Sequence, residues 1–370
     1  MTPRARKRPA GAGLAAIRTR IDAIDAELQA LISERARLAQ TVGASKREAG
    51  NTAEFYRPER EAEVLRGVLA RNDGPLTDEE MVRLFREIMS ACLAQQEPLK
   101  VAFLGPEGTF TQQAVLKHFG HSVRALPLSG IDEVFREVEA GSADFGVVPI
   151  ENSTEGAVSH TADMFLVSPL KICGEVELRI HQHLIGRIES LQHIERICSH
   201  QQSLAQCRQW LDEHLPQVER IPVSSNAEAA RRARDEHGTA AIAGAAAAEV
   251  YGLEVLVPEI EDRPDNTTRL LVVGRKILEP SGHDRTTLLM SGPDTGGPGA
   301  LVRLLEPFAR HEINMSRLES RPSRRKKWDY VFFLDLDGHA SDPPMARALA
   351  EAKKRASLFK LLGSYPRAVL

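Results

Sequence analysis

The chain has 370 residues, 42% hydrophobic and 27% charged, the make-up of an ordinary globular protein with room for two or three domains. A net charge of −3 gives no electrostatic case for nucleic-acid binding, and no apolar stretch approaches a membrane span. The four cysteines, Cys92, Cys173, Cys198 and Cys207, follow no metal or disulfide spacing, so a reducing, cytoplasmic setting without a structural metal is expected.

Residues 1–13, MTPRARKRPAGAG, are basic but lack the apolar run of a secretion signal, and we expect a disordered tail. From 14 to 96 there is no convincing strand. Leu14, Ile17, Ile21, Ile24, Leu28, Leu31, Ile32, Leu38 and Val42 recur at helical spacing. They predict one helix of roughly thirty residues, ~45 Å long at ~1.5 Å per residue. A second helix starts at Pro58, a favoured first-turn residue. A third follows Thr77, where Glu80 completes a capping box, with Met81, Leu84, Phe85, Ile88 and Cys92 as its apolar stripe. Two short helices cannot cover one so long, which implies an intertwined dimer or packing on the rest of the chain.

The grammar changes near Pro98. Short apolar runs (VAFLG, ADFGVVPI, HLIG, RICSH, AAIAG, RLLVVG) then alternate with helical patterns over about 99–275, an α/β reading. LEPSGHD, 278–284, is a linker. The last segment, 285–370, reads strand (TTLLMSG), helix (GALVRLLEPFARHE), strand (INMSRLESRP), strand (WDYVFFLDLDG), helix (MARALAEAKKRASLFKLL) and a closing strand near 365–369. That βαββαβ order is a small ferredoxin-like unit.

Several stretches of the central segment suit an anion site. In LGPEGTFTQQA, 104–114, a strand ends on a glycine turn and a helix start, where backbone N–H groups attract anions. In VVPIENSTEGAV, 147–158, a buried strand opens onto Glu151, Asn152, Ser153 and Thr154 at the carboxyl edge of the sheet, where open α/β folds bind ligands. In CSHQQSLAQC, 198–207, Ser199 and His200 end a strand and Gln206 lies on the next helix. In DNTTRLLVVG, 265–274, Thr267, Thr268 and Arg269 precede a strand, and an arginine can grip a carboxylate with two hydrogen bonds. Cations are spaced along the first helix. Arg35 and Lys46, eleven residues apart, share one flank. Arg18 lies ~25 Å from Arg35 and on another face, so the two meet only across two chains.

GPEGTFTQQA, VVPIENSTEGAV, SHQQSLAQC and NTTRL, in that order, resemble prephenate dehydratase over about 100–274. The resemblance implies two α/β lobes of periplasmic-binding type with a cleft between them. It implies Thr268 as donor to the leaving hydroxyl and Arg269 as carboxylate anchor, with Glu151, Asn152, Ser153, Ser199 and Gln206 positioning the substrate. Leu270 stands where that family usually has Phe. IRTRIDAIDAELQALISERARLAQTVGASK, YRPEREAEVLR and LFREIMSACLAQQ resemble the all-helical chorismate mutase over about 14–96. This implies a site lined by Arg18 of a partner chain, Arg35, Lys46, Arg60, Glu61 and Gln95, with Ser90 or Ala91 in the last helix. Arg57 replaces an Asp frequent in that family. GPGALVRLLEPFARHEINMSRLESRP resembles an ACT domain of phenylalanine-binding type. Its pocket would comprise Gly299, Ala300, Leu301, Asn314, Glu319, Ser320 and Arg321.

Together these imply a bifunctional enzyme converting chorismate to prephenate and prephenate to phenylpyruvate, inhibited by L-phenylalanine, with no cofactor and at least a homodimer. Two other readings fit the sequence: a dehydratase whose mutase-like helices only dimerise, and a non-catalytic solute-binding module with an amino-acid sensor.

Overall fold

The computed structural model describes residues 13–48, 56–292, 297–323 and 330–370, with side chains for all of these except 46–48. The basic tail therefore lies outside the described residues, save Gly13. No helix among the described residues is long and apolar enough to cross a membrane.

The helical part comprises α1 (Leu14–Glu48), α2 (Pro58–Arg71) and α3 (Asp78–Ala94). Helix α3 starts with the expected capping box, Thr77 accepting from the Glu80 N–H while the Glu80 carboxylate accepts from Thr77 N–H. Arg57, at the N-cap of α2, gives the helix no side-chain cap. Its guanidinium pairs with Glu59 at 2.7 Å. At 35 residues, α1 is more than twice the length of α2. Its apolar stripe is bare along the whole length, from Leu14 (65% exposed) through Leu28 to Val42. Packing on the rest of the chain, one of the two expected outcomes, is thus excluded for this stripe.

The central part has two lobes. The first carries β1 (Lys100–Leu104), α4 (Phe110–Phe119), β2 (Arg124–Leu128), α5 (Ile131–Ala140), β3 (Phe145–Asn152), β4 (Gly156–Ala157), α6 (Ser159–Val167) and β5 (Lys171–Arg179). The second carries β6 (His183–Gly186), β7 (Arg196–His200), α7 (Gln201–Gln206), α8 (Arg208–His214), β8 (Glu219–Val223), α9 (Asn226–Asp235), β9 (Thr239–Ala243), α10 (Ala245–Tyr251) and β10 (Glu254–Val257). The chain then returns to the first lobe as β11 (Thr267–Gly274), inserted between β3 and β5 in the order β2-β1-β3-β11-β5. The second sheet runs β10-β6-β9-β7-β8. Two crossings between lobes leave a cleft at the carboxyl ends of β1, β3 and β7, as the rule for open α/β sheets requires.

The C-terminal part is the expected βαββαβ unit: β12 (Asp284–Ser291), α11 (Ala300–Arg310), β13 (Met315–Pro322), β14 (Tyr330–Asp337), α12 (Pro343–Arg355) and β15 (Leu358–Pro366), in sheet order β13-β14-β12-β15. The sequence reading carried the last helix through Leu362; the helix stops at Arg355, and Leu358–Pro366 is strand. Tertiary packing decides this, because β15 pairs with β12 and lies on β5 of the first lobe. A Cβ at Gly363 would overlap the Ile172 carbonyl, so only glycine permits the approach. One apolar cluster runs through all three parts, joining Tyr56, the core of the first lobe, and Leu289, Phe333, Leu362 and Tyr365.

Candidate active site

A cleft of about 760 Å³ lies between the two lobes. The first lobe contributes Thr109 and Phe110 at the start of α4, Asn152 at the end of β3, and Asn266 and Thr268 around the start of β11. The second contributes Gln182, His200, Ser203, Gln206, Ser225 and Asn226. Among the described residues lining it there is no arginine, lysine or carboxylate. Its polarity comes from hydroxyls, amides, one imidazole and the N-termini of α4 and α9, whose N–H groups favour negative charge.

Thr268 sits in a fixed hydrogen-bond frame. Asn152 Oδ1 accepts from the N–H groups of Thr154 (2.9 Å) and Glu155 (3.1 Å). That fixes the amide so that Nδ2 donates to Thr268 Oγ1 at 2.8 Å and to Asn266 Oδ1 at 2.9 Å. With one lone pair of Oγ1 taken by Asn152, the Thr268 proton is free to point into the cleft. On the opposite wall Gln182 Nε2 donates to Ser203 Oγ (3.0 Å) and Gln206 Oε1 (3.1 Å). Asn226 Nδ2 donates to Ser203 Oγ (2.9 Å), and its Oδ1 accepts from His200 N–H (3.1 Å).

The structure thus brings Thr268, Asn152 and Gln206 into one cleft. It moves other expected residues out. Arg269 faces the far side of the sheet: its Nε donates to Glu175 (2.9 Å), Nη1 to Asp335 (2.5 Å) and Nη2 to Tyr365 Oη (3.0 Å). Burial opposes that charge, but Tyr365, Asp335 and Glu175 raise the pKa of Arg269 and keep it protonated. All three guanidinium nitrogens are engaged, so it is not a free carboxylate anchor. Arg285 joins the same buried cluster through Glu175. Glu151 also turns away, pairing with Arg317 of β13 at 3.0 Å. Ser199 is fully buried behind the wall, donating to the Ile242 carbonyl (2.7 Å). Ser153 stays at the rim, accepting from Thr267 N–H at 2.9 Å. Sequence reasoning missed Asn266, Ser203, Gln182 and Asn226. Asn266 and Ser203 lie inside quoted stretches; Gln182 and Asn226 carry no local signal, because only the lobe arrangement brings them to the cleft.

The helical set is dispersed. Arg18 and Gln95 are exposed and Arg35 is half-buried. Arg60 is exposed and paired with Glu63 at 2.5 Å. The Lys46 side chain lies outside the described residues. Glu61 points inward, 3.7 Å from Arg86 and beside Tyr56; burial pushes its pKa up to about 7 against the pull of Arg86. His118 adjoins them, 3.4 Å from Tyr56 Oη, its pKa driven down to about 3 by burial and Arg86. Ser90 is buried in the contact with the first lobe, where its Oγ accepts from Ser122 N–H (3.3 Å) and packs on Gly120. It is therefore taken up by that interface, not by a ligand pocket.

In the C-terminal set, Gly299, Leu301, Asn314 and Ser320 are exposed and Ala300 half-buried. Gly299 takes a φ of +79° at the start of α11, a conformation that favours glycine. Asn314 donates to Asp337 at 2.7 Å. Glu319 and Arg321, expected in an effector pocket, are engaged within the chain: Arg321 reaches Asp163 of α6 at 3.4 Å and Glu319 at 3.6 Å.

Three family models match in succession: Chorismate mutase type II over 17–97, Prephenate dehydratase over 101–277 and ACT domain over 286–353. A bifunctional chorismate mutase/prephenate dehydratase of Stutzerimonas stutzeri is 56% identical over 96% of this chain and 98% of its own length, and the Pseudomonas aeruginosa protein of that name matches equally. A prephenate dehydratase of Arthrobacter aurescens, solved in complex with L-Phe, is 38% identical with a TM-score of 0.68, covering 73% of this chain and 90% of that one. A two-lobed cleft built around Thr268, a mutase-type helical part, and near full-length identity to enzymes that carry both activities set aside the solute-binding and dimerisation-only readings: the chain belongs to the bifunctional chorismate mutase/prephenate dehydratase family.

Proposed function

We propose that Thr268 is the hydrogen-bond donor to the departing hydroxyl of prephenate, and that the enzyme is inhibited by L-phenylalanine. The observation that carries the first part is the Asn152–Thr268 bond, in which Thr268 Oγ1 is the acceptor, so that its proton stays available to a group in the cleft. In the reaction the ring C–O bond breaks and its electron pair leaves with oxygen. The C–C bond to the ring carboxylate breaks, CO2 departs, and that electron pair completes the aromatic ring. The leaving oxygen departs hydrogen-bonded to Thr268, takes a proton from solvent and becomes water. A donor held in a low-dielectric cleft stabilises the charge growing on that oxygen.

The lack of cations among the described cleft residues suits this chemistry. A carboxylate that departs as CO2 loses its charge in the transition state. A guanidinium paired with it would hold the ground state more tightly than the transition state and slow the step. Neutral donors and the helix starts at α4 and α9 bring only partial charges to the dianion, so that penalty is smaller. Asn152, Asn266, Gln182, Ser203, Gln206 and Asn226 orient it.

For the mutase reaction, Arg18 from a second copy, Arg35, Lys46, Arg60 and Gln95 hold chorismate in its compact conformer and serve its ether oxygen. The bare apolar stripe of α1 supports a homodimer in which a second α1 completes the site. The four free, buried cysteines suit the cytoplasm. Effector binding falls on the exposed side of the C-terminal part, at Gly299, Ala300, Leu301, Asn314 and Ser320. Initial rates of prephenate turnover test this reading: saturating L-phenylalanine should lower them by at least about tenfold, and an unchanged rate refutes it.

A further inference from the structure

On β3 and β11 one cross-strand pair faces the cleft and the adjacent pair faces the C-terminal part. Asn152 and Thr268 are register partners and both line the cleft. Glu151 and Arg269 are the neighbouring partners, and alternation along a strand sends their side chains the other way. Arg269 ends on Asp335 and Tyr365. Glu151 ends on Arg317. Arg269, Arg317 and Asp335 line one small cavity between the domains, with Thr287, Phe165 and Phe333.

The second arm has its own structure. Arg317, Glu319 and Arg321 alternate along β13 and share its half-buried face, while Leu318 and Ser320 are exposed. Glu319 pairs with both arginines and so holds them side by side. Arg317 then grips Glu151, and Arg321 grips Asp163 on α6. The segment between those two acidic residues contains the turn in which Asn152 Oδ1 accepts two backbone N–H bonds. It also lies beside an irregularity of the β3–β11 ladder. The register shifts between Arg269 and Leu270, and β3 ends at Asn152. Backbone pairing to β11 and to the short β4 holds this strand end, and beside the bulge a side-chain tie one residue away adds to it in aiming the Asn152 side chain.

We propose that Arg317 is a positioning residue for the dehydratase reaction: through Glu151 it holds the Asn152 amide, and with it the Thr268 hydroxyl, in the reacting geometry. The C-terminal part thereby supplies part of the support of a site it does not touch. The tie is measured without phenylalanine, so that effector binding does not enter the comparison.

The test is steady-state prephenate turnover by the full-length enzyme. Arg317→Ala should lower kcat about three- to tenfold and leave KM within roughly twofold, the split expected when orientation and not binding is lost. Arg317→Lys, which keeps the charge but not the two-sided fork, should recover part of the loss. Glu151→Gln should lower kcat similarly, and the double variant should be no slower than the slower single, because the two side chains act as one link. Chorismate turnover by the same samples controls for folding. A kcat for Arg317→Ala within about 1.5-fold of wild type, or losses that multiply in the double variant, would overturn the proposal. If Arg317→Ala does not fold, Arg317→Lys combined with Glu151→Gln completes the same cycle, with multiplying losses again overturning it.

Discussion

In the central lobes, residues far apart in sequence (Asn152, Gln206, Asn226, Thr268) meet in one cleft of a single chain. In the helical part, Arg18, Arg35, Arg60 and Gln95 enter none of the cavities described here, and α1 carries an uncovered apolar stripe beside them. A cleft between two lobes is enclosed by its own fold. A site on a long helix needs another helix against it, and among the described residues none is long enough to spare. One chain thus encloses a cleft by itself, whereas the proposed mutase site would need a second copy to complete it.

The sharpest way to break this contrast is at the cleft. Thr268→Ala should reduce prephenate turnover by at least about 10²- to 10³-fold, the loss seen when a donor to developing negative charge is removed. Chorismate turnover should not change. Retention of dehydratase activity would take Thr268 out of the mechanism. A charge on the open face is next in size: Leu28→Asp should cost the mutase about 100-fold, through loss of the second α1, and the dehydratase no more than about threefold. Mutase activity within twofold of wild type would show that a second copy is not needed.

The smallest effect is at Glu61, which joins the two regions. Its folded pKa of about 7 lies above its ordinary value of 4.5, because it is buried. Between those limits the folded chain holds the proton more tightly than the unfolded chain, so Glu61 lowers stability as pH rises from 4.5 to 7. His118, held near 3 against an ordinary 6.5, acts in the opposite sense, lowering stability as pH falls below 6.5. Glu61→Gln removes the first contribution alone. Its Tm relative to wild type should therefore be higher at pH 8 than at pH 5, by about 1–3 kcal/mol in stability. Melting curves of both proteins at the two pH values check this, and a difference independent of pH would mean that Glu61 ionises freely.

Much of the architecture was legible. The capping box at Thr77, the helix start at Pro58 and the unmatched length of α1 follow from spacing and residue type alone. Five strands of the central part were not legible, the two-residue β4 among them. β2 and β8 each carry a proline, Pro127 and Pro222, and a strand tolerates one because it lies at a sheet edge. β10 is likewise an edge strand, short and half-exposed. β5 reads KICGEVELR, too charged for a buried strand, until Arg269 and Arg285 are seen to neutralise Glu175. A buried carboxylate is acceptable only when paired, and the partners come from other strands.

By itself the sequence picked out short stretches that turn out to border the cleft, and showed that the first helix outgrows its neighbours. It did not determine which side of the sheet each residue serves. Glu151 with Asn152, and Arg269 with Thr268, are adjacent in the chain and were assigned to one site. Adjacent residues on a strand point to opposite faces, so only one of each pair can reach the cleft. Tertiary structure chose which one: the C-terminal part offers Arg317 and Asp335 to the charged members on the far face, and the neutral members are left facing the cleft.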